Sequence, residues 1–136
     1  MKGKEIIEAS KSWINKAEQD LMSAETLIDS KKDRLPYLTN SIGFHSQQCI
    51  EKCLKGFLIY HQQEFRKSHD IHYLLNLCQE ITDEFETIRD TASLLNDFAV
   101  NARYPGETEF SIEEAKEVFE VAKELFSLTK DILSFS

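Results

Sequence analysis

The residue types best suited to chemistry fall in three short segments. The first is Phe44-His-Ser-Gln-Gln-Cys-Ile-Glu-Lys-Cys-Leu-Lys55, where Gln47, Glu51 and Lys55 recur every four residues. On a helix that spacing sets them along one face, with Gln48 and Lys52 in a neighbouring row beside His45 and Gly56. Amide, carboxylate and ammonium groups in one strip can hold a phosphate and hydrogen-bond a base. The same spacing also describes a solvated face with a Glu51–Lys55 pair worth about 0.2–0.5 kcal/mol, and spacing alone favours that plainer reading.

The second segment, Arg66-Lys-Ser-His-Asp-Ile-His72, places two imidazoles three residues apart. Imidazole titrates near neutral pH and is suited to acid–base work. The plainer roles are a helix cap, from Ser68 or His69, and a half-buried aromatic. Pattern alone favours a structural role for His72 and leaves His69 open. No third ligand follows the His-x-x-His pair, so no metal site is expected. The third segment, Asn101-Ala-Arg-Tyr-Pro-Gly106, offers a guanidinium backed by a tyrosine, which suits a phosphate. Beside that reading stands one in which Arg103 caps the last carbonyls of its own helix.

Hydrophobic spacing supplies the elements that must position these groups. A first helix is predicted over residues 8–30, with Ile14, Ala17, Leu21, Ala24 and Ile28 as its stripe and Trp13 anchored in the core. A second spans residues 36–60 from Pro36, carrying Phe44, Ile50, Leu54, Phe57 and Leu58. Ser68 is the expected cap of a short third helix through Leu74, Leu75 and Cys78. A fourth helix, capped by Asp83, carries Phe85, Ile88, Leu94, Leu95 and Phe98 and ends at Pro105-Gly106. Ser111, with acids following, opens a last helix through Val118, Ala122, Leu125, Leu128 and Ile132. No stretch alternates as a strand would. The expectation is an all-α, up-and-down bundle of five helices, four long and one short.

Composition narrows the function classes. The chain has 136 residues, enough for one domain with its own core, and a formal net charge of −8. An acidic surface of that size argues against broad capture of nucleic acid, so any such contact must be local, and DNA is not an expected partner. Four glycines and two prolines are too few for a sandwich or a Gly/Pro-rich disordered chain. No apolar run approaches the roughly 20 residues that cross a bilayer, and the start shows no signal-peptide core. Cys49, Cys53 and Cys78 read as reduced, buried thiols of a cytoplasmic protein.

Taken together, several segments resemble the HEPN family, named for a nucleotide-binding domain of higher eukaryotes and prokaryotes. They are Trp13 with Ala17-Glu-Gln-Asp-Leu21, Gln48-Cys-Ile-Glu-Lys-Cys-Leu-Lys55, Ser68-His-Asp-Ile-His72 and Ala102-Arg-Tyr-Pro105. The resemblance spans nearly the whole chain and implies a single helical domain over residues 1–136. It also implies a homodimer, and a nucleotidyltransferase partner in a toxin–antitoxin-like pair. Active toxins of the family are metal-independent ribonucleases with Arg, four to six residues, then His. No histidine follows Arg103 in that window; Arg66 and His72 have the spacing, but at the entry to the third helix.

The expected function is therefore a nucleotide- or RNA-binding module without cofactor, using Gln48, Glu51, Lys52, Lys55, His69, Arg103 and Tyr104. The alternatives are a ribonuclease toxin using Arg66 and His72, and a non-catalytic dimerisation or docking protein.

Overall fold

The structure, a computed structural model, describes residues 3–91 and 110–134. Among them it holds four α-helices and no strand: α1 (Lys4–Ile28), α2 (Thr39–Tyr60), α3 (Ile71–Gln79) and α4 (Ile112–Leu133). Two 3₁₀ turns, Leu35–Tyr37 and Glu86–Thr91, complete the set. The first helix begins four residues earlier than its stripe predicts. The second begins at Thr39, because Pro36 sits in a 3₁₀ turn that buries Leu35 and exposes Tyr37. Of the predicted fourth helix, the described part is the second 3₁₀ turn; Leu94, Leu95 and Phe98 lie outside the described residues, and five helices are not confirmed.

α2 is the central element. Fourteen of its 22 residues are buried, because α1, α3 and α4 all pack on it. The main core joins Ile50, Leu54, Phe57 and Leu58 of α2 to Ile14, Leu74, Val118 and Leu125. A second cluster of Ala24, Leu35, Ile42, Ala115 and Phe119 closes one end. α1 and α2 run antiparallel. α2 and α4 run in the same sense: Ile42 and Ala115 share the end cluster, and Cys49 Sγ meets the Ala122 carbonyl further along. All three cysteines are free and buried, and burial pushes the Cys78 thiol far above its ordinary value.

Local signals explain the helix ends. Ser111 Oγ accepts from the Glu114 N–H at 3.0 Å, and Glu114 Oε1 accepts from the Ser111 N–H at 2.9 Å, a reciprocal capping box. At α3 the cap is Asp70, whose Oδ1 accepts from the His72 and Tyr73 N–H groups at 2.9 and 3.3 Å. Ser68, the expected cap, instead accepts the Asp70 N–H and shapes the approach. α2 ends in a Schellman motif: the Gln63 N–H reaches the Leu58 carbonyl and the Gln62 N–H the Ile59 carbonyl. Gln62 takes the left-handed position at φ 57°, where glycine is usual, and so turns the chain back over α2.

Candidate functional site

The site begins where α1 crosses α2. A side chain at Gly56 would bring a Cβ to within 2.7 Å of Ile14 Cδ1 and 3.3 Å of Trp13 Cβ. The missing side chain lets the helices approach, and Ser10 Oγ donates to the Gly56 carbonyl at 2.7 Å inside the contact. Trp13 is thereby half-buried beside α2 rather than sunk in the core. Lys55 Nζ lies 5.4 Å from its ring centroid and Lys16 Nζ lies 5.7 Å away.

The strip of Gln47, Glu51 and Lys55 is buried, which corrects the plainer reading of a solvated face. The side chains of Glu51 and Lys55 are only 3% and 8% exposed. Lys55 Nζ donates to Glu51 Oε2 at 3.1 Å, and Gln47 Nε2 donates to Glu51 Oε1 at 3.3 Å. Gln48 Nε2 extends the chain by donating to Gln47 Oε1 at 3.1 Å. The reason for burial is cover from elsewhere: Trp13 on one side and the segment 62–70 on the other. From that segment His69 places Nδ1 3.0 Å from Glu51 Oε1 while 72% of its side chain remains exposed. An ionised carboxylate only accepts, so Nδ1 carries the proton and Nε2 faces outward.

These groups line one cleft of about 460 Å³. Its floor is Gln48, Glu51, Lys52 and Lys55 of α2; its walls are Trp13 on one side and Phe65, Lys67, Ser68 and His69 on the other. That volume lies in the range of small-molecule sites. Lys52 also donates to Asp20 Oδ2 at 2.5 Å, and Asp20 Oδ1 lies 2.9 Å from His45 Nδ1.

Five of the residues expected at a binding site therefore converge: Gln48, Glu51, Lys52, Lys55 and His69. Arg103 and Tyr104 lie outside the described residues. Arg66 and His72 are not drawn together at the cleft. The Arg66 guanidinium lies 3.7 Å from the Tyr73 ring centroid and lines a wider groove of about 760 Å³ with Ile6 and Ile59. His72 lines neither concavity. Sequence reasoning missed Gln47 as a member, and with it Phe65, Lys67 and Ser68. The four-residue step from Gln47 to Glu51 is a usable signal; Lys67 and Ser68 stand in the second segment, which pattern reads for its histidines and a cap, and nothing marks Phe65.

The family model for the HEPN domain matches residues 10–132. The chain belongs to the HEPN family. Among solved structures, this HEPN chain is similar to the crystal structure of an archaeal HEPN homologue, at 26% identity and a TM-score of 0.70. The alignment covers 91% of this chain and 97% of the homologue. Comparison with functionally curated proteins gives no match. The helical bundle is thus the HEPN fold, and among the described residues no helix is long and apolar enough to cross a membrane.

Proposed function

We propose that the cleft between α1, α2 and the 62–70 segment binds a nucleotide or a nucleotide unit of RNA. The observation that carries this reading is the buried Gln47–Glu51–Lys55 array opening onto a cleft beside an outward-facing imidazole. A buried ion pair is a poor device for stability, since desolvation offsets most of its attraction. Its presence at the floor of a cleft is better explained by recognition. Lys67 and His69 at the mouth can receive phosphate oxygens, Phe65 offers a face for a base, and Gln48 and Ser68 supply hydrogen bonds.

Around that module we place the assembly that HEPN membership supports. Residues 1–136 act as one unit, as a homodimer, with a nucleotidyltransferase-type partner in a toxin–antitoxin-like pair. Met22, Tyr37 and Phe44, exposed among the described residues, are available for such contacts. Three unpaired buried thiols accord with a cytoplasmic setting. Arg66 and His72 engage different surroundings, so binding rather than ribonuclease chemistry is the reading adopted.

Calorimetric titration of each common nucleotide into the parent protein and into Lys67→Ala and His69→Ala tests the module. Both positions are exposed, so both variants should fold. Binding in the parent that weakens about tenfold in each variant is the expected result. No heat with any nucleotide overturns the reading.

A further inference from the structure

The cleft contains three lysines, yet two of them are already occupied. Lys55 is held by Glu51 at the cleft floor, and Lys52 by Asp20 of α1. Among the described residues Lys67 is the one lysine of the cleft with no acidic partner. Lys52, Lys55 and Lys67 set against Glu51 and Asp20 leave one formal positive charge among these five groups. That charge sits on a chain of net −8.

Resting on the nucleotide-binding reading above, we propose that the cleft selects a nucleoside monophosphate over the corresponding di- and triphosphate. One phosphate group finds Lys67, the His69 ring and the edge of the paired lysines. Each further phosphate adds negative charge, and among the described residues lining the cleft no second unpaired lysine receives it. It then meets the carboxylate of Glu51 at the cleft floor, with that of Asp20 behind Lys52, and like charges repel appreciably even at an intermediate effective dielectric. A cationic phosphate cradle behaves in the opposite way, tightening as phosphates are added. An oligonucleotide is disfavoured for the same reason, because its neighbouring phosphates extend over an acidic surface.

Asp20 is the residue that sets this selectivity. It does not line the cleft, but it holds Lys52, which does. Asp20→Asn keeps the shape, weakens that hold and releases Lys52 toward ligand. A matched control is Glu25→Gln, which removes one negative charge from an exposed position on α1 away from the cleft.

The experiment is calorimetric titration of the full chain, in magnesium-free buffer at moderate salt, with AMP, ADP and ATP, the guanosine series, and a five-nucleotide RNA. The expected result is monophosphate binding about tenfold tighter than triphosphate in the parent and in Glu25→Gln, with that ratio collapsing toward one in Asp20→Asn. Triphosphate or the oligonucleotide binding tightest overturns the selectivity and leaves the nucleotide-binding reading standing. A ratio unchanged in Asp20→Asn overturns the assignment to paired lysines. Absence of binding in every arm overturns the nucleotide-binding reading itself.

Discussion

Two constellations of the same chemical make-up lie a short distance apart along α2. In each, one carboxylate oxygen takes a lysine and the other takes a histidine Nδ1: Glu51 with Lys55 and His69, Asp20 with Lys52 and His45. Their settings differ. The Glu51–Lys55 pair is made within one helix and sealed by Trp13, whereas Asp20 bridges α1 to α2 with side chains 13% and 22% exposed. Composition therefore does not distinguish the two; cover does. Partly shielded, the second pair is a clamp that keeps some contact with water. Out of water the first becomes a fixed polar surface whose loss would strand a charge.

The comparison is broken most severely by Lys55→Ala, which leaves Glu51 charged and buried. It should cost about 3–5 kcal/mol in urea unfolding, against about 1–2 kcal/mol for Lys52→Ala, whose partner Asp20 keeps some contact with water. Equal losses at the two sites would end the distinction. Next comes Gly56→Val, which drives a side chain into Ile14 and Trp13. Overpacking there should cost about 1–3 kcal/mol and move the fluorescence of Trp13, the single tryptophan. An unmoved spectrum would show that the crossing does not set the cleft wall. Replacing both partners, Glu51→Leu with Lys55→Met, should recover most of the stability lost in Lys55→Ala, to within about 1 kcal/mol of the parent. Nucleotide binding should be abolished in the same protein, and retained binding would disconnect the buried pair from recognition. Smallest is Gln62→Gly, which relieves the left-handed turn and should raise stability by up to about 1 kcal/mol while leaving both constellations intact.

Much of this was legible in the sequence, and the misses have physical causes. The four-residue step put Gln47, Glu51 and Lys55 on one face correctly, but a spacing records direction around one helix and says nothing of what covers it. The cover comes from Trp13, 38 residues before Glu51, and from His69, 18 residues after it. Size and register assign Phe44 to the apolar stripe; it is exposed, and smaller residues of that helix are buried instead. Ser68 had the right residue type for a cap but stands two residues early, and Asp70 takes the N–H groups. The cap at Ser111 is legible because its hydrogen bonds with Glu114 lie within four residues; that they are reciprocal is the structure's addition. Nothing in composition marks Phe65 and Lys67 as lining the cleft, because the turn that swings them over α2 depends on a glutamine in the left-handed conformation.

The hydrogen bond from Ser10 to the Gly56 carbonyl has a consequence for how the molecule assembles. It joins positions 46 apart in the chain, whereas contacts beside the Leu35 corner join positions a few residues apart. Loop-closure entropy favours the short connections first, so the helical hairpin zips from the corner toward its open end. The crossing at Gly56, and with it the placement of Trp13 over Lys55, belongs to the final stage of that closure. A chain that has formed both helices but has not yet closed them therefore lacks the Trp13 wall over Lys55.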